Sequence, residues 1–187
     1  MSIYYHGSPI LFDHFDLSSA GEGTGIKYGF GVYLTESYES AVHYSQPRHL
    51  ELTLDHYIYT VKIPDLTTDN HLVSAKPVEK SIIERVEAKL GCKAPDEEKT
   101  KGKLFRKWIG MTITGSKKND FASEKAAAEL LDSLGVFYMV WPTAQTKPDG
   151  DKNIAVFNPS RVEIIKCDRI DIVRRGDKWI LKEDKKR

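Results

Sequence analysis

From Gly135 onward the chain reads as one strand after another, whereas its two clearest helical patterns sit together just before that point. Segments 136–141, 153–157 and 162–165 are short, apolar and rich in β-branched residues. Segments 170–173 and 179–181 flank Gly176-Asp177, which has the chemistry of a tight hairpin turn. Ahead of Gly135, residues 76–91 carry Val78, Ile82, Ile83, Val86 and Leu90 on one helical face, with Pro77 near the start and Gly91 at the end. A short helix is expected around Leu104, Phe105, Trp108 and Ile109. A longer one, capped by Ser123, is expected to bury Ala126, Ala127, Leu130, Leu131 and Leu134. An alternating strand–helix fold would not bunch its elements in this way. The expected class is α+β, built on antiparallel sheet.

The N-terminal part adds strands and loop. Residues 3–5 are an aromatic and β-branched strand that runs into His6-Gly7-Ser8-Pro9. Residues 13–31 are loop-like and hold Gly21, Gly23, Gly25, Gly29 and Gly31; 32–34 form a short strand. Thr35 is expected to cap a helix carrying Ala41 and Tyr44. Residues 57–63 form the clearest strand, stopped by Pro64, and 92–103 read as an exposed lysine-rich loop. With 187 residues, 40% of them hydrophobic, the chain is sized for one domain with its own core, 1–187, in which 76–118 reads as a helical insertion. No apolar run approaches the roughly 18 residues of a membrane span, and the N-terminus lacks the pattern of a secretory signal. Two cysteines, Cys92 and Cys167, are too few for a disulfide framework, so a cytoplasmic, reduced chain is expected.

General motifs are missing. The glycines do not form G-x-G-x-x-G between a strand and a helix, and there is no G-x-x-x-x-G-K-[ST], H-E-x-x-H or C-x-x-C. The histidines at 6, 14, 43, 49, 56 and 71 show no ligand spacing, so no metal is expected.

Three segments remain: Tyr5-His6-Gly7-Ser8 at a strand end; Gly29-Phe30-Gly31-Val32-Tyr33-Leu34-Thr35, followed by Ala41 and Tyr44 at helical spacing; and Asn153-Ile154-Ala155-Val156-Phe157. Taken singly, each has an ordinary structural explanation. In this order they resemble the ADP-ribosyltransferase superfamily, on the diphtheria-toxin and poly(ADP-ribose) polymerase side. The resemblance covers residues 3–63 well and 120–166 more loosely. It implies split antiparallel sheets forming a central NAD cleft flanked by helices, with NAD+ as substrate and no metal. His6, Tyr33 and Asn153 would be the catalytic residues. His6, Gly7, Ser8, Tyr33, Ala41 and Tyr44 would bind NAD, Gly7 by gripping the carboxamide and His6 by bonding the adenosine-side ribose. The chemistry suits such a site: aromatic faces can clamp a flat nicotinamide, and a glycine lets a flat ligand approach its backbone. Cleaving the glycosidic bond needs an oxocarbenium-like transition state.

The third family position is usually Glu; here the strand begins at Asn153. An amide can hold a ribose hydroxyl but cannot act as a general base near neutral pH. The resemblance implies single additions of ADP-ribose to an already nucleophilic acceptor rather than chain extension, since family members without the Glu generally make single additions. Asp149, Asp151 or Glu163 could instead supply a carboxylate, Asp151 through a two-residue slip of the strand. A module that binds NAD or ADP-ribose without turnover is the alternative class. An RNA 2′-phosphotransferase is a third, against which Tyr33 speaks.

The formal net charge of +1 hides a split: residues 1–75 carry −6 and residues 76–187 carry +7. Lys99, Lys101, Lys103, Arg106, Lys107, Lys117, Lys118 and the tail Lys185-Lys186-Arg187 make the basic part. They could dock an acidic acceptor, protein or RNA/DNA, with Phe105 and Trp108 nearby. By analogy with compact stand-alone transferases, a bacterial toxin or defence effector neutralised by an antitoxin partner is expected, with no membrane association.

Overall fold

The computed structural model describes residues 1–18, 26–46, 55–143 and 150–182. Gly21, Gly23, Gly25, His49, Asp149 and the basic tail 185–187 lie outside these described residues. The chain forms an α+β structure. Strand β1 (Ser2–Ser8) is followed by β2 (Val32–Thr35), helix α1 (Tyr38–Tyr44), β3 (His56–Ile63) and β4 (His71–Val73). Four helices come next: α2 (Lys80–Leu90), α3 (Asp96–Lys99), α4 (Gly102–Thr114) and α5 (Phe121–Ser133). The chain ends in β5 (Tyr138–Pro142), β6 (Lys152–Val156), β7 (Glu163–Ile170) and the hairpin β8 (Ile172–Arg175) and β9 (Lys178–Leu181).

Seven strands form one sheet in the order β4-β5-β6-β2-β1-β3-β7, and β8 pairs with β9 separately. The sheet is mixed rather than wholly antiparallel, because β4 runs parallel to β5. Only three residues long, β4 falls in a stretch with no alternating pattern to announce it.

Alternation along the strands assigns the two faces. Tyr4, Val32, Leu34, Tyr59, Val61, Ile63, Tyr138, Val140, Ile154 and Val156 bury one face beneath Phe12, Phe15, Leu66, Phe137, Val162 and Ile164. Among the described residues, loops and the flank of β7 cover this side. The other face carries two separate helical packings. Over β5 and β6, helices α2, α4 and α5 bury Ile82, Val86, Phe105, Ile109, Ala127 and Leu131 against Met139, Trp141 and Ala155. Over β1 and β3, α1 buries Ala41 and Val42 against Ile58. At roughly 1.5–3 kcal/mol per fully buried aliphatic or aromatic side chain, the first of these is the larger reserve of stability. Residues 76–118 contribute Ile82, Val86, Ala94, Phe105 and Ile109 to this core.

Several local expectations shift. Helix α2 starts at Lys80, not 76, because the preceding segment is tied to the α3–α4 link by Val78 N–H donating to Lys99 O (3.0 Å) and Gly102 N–H to Lys76 O (3.0 Å). The expected 92–103 loop holds one turn of helix and the start of α4. The cap of α1 is Ser37, whose hydroxyl accepts from Ser40 N–H; Thr35 instead accepts from Ser37 N–H at 3.2 Å. The cap of α5 is Asp120, which accepts from the N–H of Ser123, the expected cap, at 2.8 Å. Arg106, read as part of a basic dock, is fully buried, and Phe105 fills the core rather than lying open to a base. Lys99 is held by Glu87 (3.3 Å) and Asp96 (3.2 Å). Lys101, Lys117 and Lys118 stay exposed.

Candidate functional site

Strand β2 sits at the centre of the sheet between β1 and β6. Its pairing with β1 is a single position, Tyr5 opposite Thr35. Strand β1 pairs with β3 over seven positions and β2 with β6 over four. Beyond Tyr5 and Thr35 the central ladder therefore stops, while each strand stays anchored to its outer neighbour. His6-Gly7-Ser8 line one side of this break and Val32-Tyr33 the other. On the helical face the break lies between the α1 packing and the α2/α4/α5 packing.

His6 bridges the break. Its Nδ1 lies 2.8 Å from Tyr33 O, and a carbonyl only accepts, so Nδ1 carries the proton. The neutral ring then presents Nε2 as an acceptor, and no hydrogen-bond partner meets Nε2 among the described residues. The ring packs edge-on to Phe15 (5.1 Å between centroids) and Phe12 (6.0 Å), and Phe12 stacks on Tyr59 at 4.1 Å. Burial among these rings pushes the His6 pKa below the usual histidine value, with the Tyr33 carbonyl opposing more weakly.

Tyr33 is held at both ends. Its hydroxyl donates to Gly29 O at 2.9 Å and accepts from Tyr28 N–H at 3.1 Å. Its ring meets Trp141 at 5.5 Å, edge to face, and Tyr28 stacks flat on Trp141 at 4.1 Å. Tyr33 and Trp141 belong to strands separated by β6, and the residue opposite Tyr33 there is Ala155. That small side chain leaves room for the two rings to meet. Burial raises the Tyr33 pKa, so the phenol is neutral at physiological pH.

The strand register puts Asn153 beside both partners, opposite Thr35 on β2 and Trp141 on β5. Its side chain is 8% exposed, with Thr143 Oγ1 donating to its Oδ1 at 3.4 Å. Thr35, Asn153 and Trp141 thus share a face with Tyr33. Asp151 precedes β6 and is exposed. Glu163 lies on β7 at the far edge, four strand spacings of about 4.8 Å from β6. The carboxylate beside the site is one the sequence did not single out: Glu36, whose Oε2 accepts from Lys152 N–H (2.8 Å) and whose Oε1 accepts from Tyr4 Oη (3.3 Å). It clamps β6 to β2 rather than standing free.

Gly7 has a structural reason to be glycine. A Cβ there would lie 2.7 Å from Ser45 N and 2.9 Å from Ala41 C, and closer still to Ala41 O. The last turn of α1 rests directly on this strand position. Ala41 is buried at that contact, whereas Tyr44, at the end of α1, is 54% exposed and meets His43 edge-on. The rings of Tyr33 and Tyr44 meet different partners, Trp141 and His43. Ser8 donates its hydroxyl to Ile10 O (2.9 Å) and accepts from Ile10 N–H (3.0 Å), which commits it to the turn after β1. Tyr28 and Trp141 join the site without having been singled out, and Thr35, expected only as a helix cap, joins them. The register alternation placing 33, 35, 141 and 153 on one face was the only available signal, and it needed the strand pairing to be read.

Among the described residues no group of three or more His, Cys, Asp and Glu side chains is arranged to hold a metal ion, and no helix is long and apolar enough to cross a membrane. No family model, no curated protein and no solved structure matches this chain.

Proposed function

We propose that the chain is a mono-ADP-ribosyltransferase that cleaves NAD+ at the nicotinamide–ribose bond. In the reaction, the C–N bond to ribose C1′ breaks and nicotinamide leaves as a neutral molecule. A nucleophile on a macromolecular acceptor then bonds to C1′ and releases one proton. The observation that carries this reading is the break between β1 and β2, bridged by His6 from the Tyr59 face, with Tyr33, Thr35, Asn153 and Trp141 together on the opposite, helical face.

In this reading Tyr33 stacks on the nicotinamide, with its ring direction set before binding by the two hydroxyl bonds and Trp141. His6 Nε2 accepts from a ribose hydroxyl, and Gly7 offers backbone groups to the carboxamide. The Asn153 amide bonds the nicotinamide-ribose 2′-hydroxyl and steadies the oxocarbenium. With no carboxylate there, the acceptor must already be nucleophilic, so single additions follow. The acceptor is a protein or nucleic acid, and the role is that of an intracellular toxin or defence effector with a neutralising partner.

The second reading is a module that binds NAD or ADP-ribose without turnover. It is favoured by one observation: the buried third position is an amide, and the neighbouring Glu36 is occupied as a strand clamp. One experiment separates the two. The purified protein is incubated with NAD labelled on the adenylate, plus a cell lysate, and the product is digested with protease or nuclease. Label transfer and nicotinamide release support the enzyme and identify the acceptor class. NAD binding with neither supports the module.

A further inference from the structure

Arg106 on α4 is fully buried, and its guanidinium abuts the carboxylate of Glu124 on α5, itself 1% exposed. The other Glu124 oxygen accepts from Asn119 Nδ2 at 2.7 Å. Among the described residues, Arg106 Nε, Nη1 and Nη2 have no hydrogen-bond partner, and Glu124 meets the guanidinium as an ion pair. Two buried charges in a helical core make a costly arrangement, and apolar side chains of similar volume usually serve stability as well or better. Packing alone therefore does not account for the pair.

What the guanidinium touches gives it a use. A Cβ at Gly29 would lie 2.9 Å from Arg106 Nη1, 3.3 Å from Cδ and 3.4 Å from Cζ. The guanidinium is thus the floor beneath Gly29, whose φ of 116° lies in a region that side chains rarely adopt. Gly29 O is the acceptor for the Tyr33 hydroxyl, and Tyr28, one residue earlier, donates its N–H to that hydroxyl. A chain of contacts therefore runs from Asn119 through Glu124, Arg106 and the 28–29 backbone to the Tyr33 hydroxyl. The surroundings are apolar: Phe30, Phe105, Ile109 and Trp141 belong to the same core. A rigid planar cation fixed by one carboxylate holds a level there that a flexible chain would not.

We infer that Arg106, fixed by Glu124, is a positioning residue for Tyr33, setting the turn that holds its hydroxyl and hence the direction of its ring. This rests on the proposed role of Tyr33 in NAD binding, but its structural half can be tested without NAD.

The test compares wild type with R106M/E124Q, in which the glutamine still accepts from Asn119, and measures hydrogen exchange at individual amides by NMR. Positioning predicts that the Tyr28 amide exchanges about tenfold faster, while Val86 and Leu131 in the helical core keep their protection. Nicotinamide release, followed in parallel, should show KM for NAD raised about tenfold with kcat little changed. Unchanged Tyr28 protection in the folded variant overturns the inference. Should the double variant fail to fold, R106K decides on the same amide, because lysine keeps the charge and loses the planar floor. If wild type neither binds nor cleaves NAD, the proposed function fails while the Tyr28 amide still decides the positioning.

Discussion

Replacing Gly7 by alanine distinguishes two reasons for a glycine at the end of β1. If the glycine serves only a flat ligand, a methyl group should block NAD and leave the fold untouched. The structure argues otherwise. The new Cβ would stand 2.7 Å from Ser45 N, where ordinary contact begins at 3.4 Å, so the last turn of α1 must retreat by at least about 0.7 Å. The obstacles are backbone atoms of a helix, which cannot swing aside as a side chain can. Retreat loosens Ala41 and Val42, which are 1% and 2% exposed, from Ile58. Overpacking of this kind costs about 1–3 kcal/mol, and a chain of this size loses about 2–4 °C of Tm per kcal/mol. For a mid-range cost of about 2 kcal/mol, Gly7→Ala should lower Tm by about 4–8 °C in a calorimetric scan and weaken NAD binding as α1 moves. An unchanged Tm with NAD binding abolished would refute the helix-contact argument and leave the ligand as the only reason.

Asn153→Ala should reduce the rate of nicotinamide release about 100-fold, as the loss of one aimed donor usually does, whereas Glu163→Ala should leave it unchanged. Equal losses in a direct rate comparison would mean that the third residue has been misassigned. Ala155→Leu should push Tyr33 away from Trp141 and raise KM for NAD, read together with the near-ultraviolet circular dichroism of the stacked rings. The depressed His6 pKa sets the pH response: above about 6.5, the ordinary histidine value, His6 is neutral in both folded and unfolded chains. As pH falls below that value the unfolded chain takes up the proton first, so stability drops towards the folded pKa. NAD binding, measured by calorimetric titration, should persist below pH 6.5 and fail only when Nε2 itself is protonated; failure already above pH 7 would contradict it.

The elements readable from sequence were those whose pattern is local. Strand β3 announced itself by a run of β-branched and aromatic residues before Pro64, and the buried face of α2 by Ile82 and Val86 at helical spacing. The hairpin around Gly176 likewise followed from its turn residues. What escaped depended on partners distant in sequence. Strand β4 is three residues long and exists because Leu72 finds Met139. Arg106 looked like a surface charge because nothing near it in sequence reveals Glu124, eighteen residues on. At the site, His6, Tyr33 and Asn153 could be chosen by order of motif. Trp141 and Tyr28 could not, since an aromatic in a strand is ordinarily core, and their meeting with Tyr33 depends on the small side chain of Ala155 on an intervening strand.

The central position of β2 also bears on when the site comes into being. Thr35 and Asn153 are neighbours across the ladder, yet 118 positions of chain separate them, including every helix of the larger layer. A nascent chain that has emerged as far as residue 140 already carries His6 and Tyr33, but β2 has no strand on its β6 side and Tyr33 has no Trp141. Pairings between such distant segments form late, after the local helices and turns. The candidate site is thus assembled only after β6 has emerged, and a chain stopped at residue 140 would carry His6 and Tyr33 without Asn153 and Trp141 beside them.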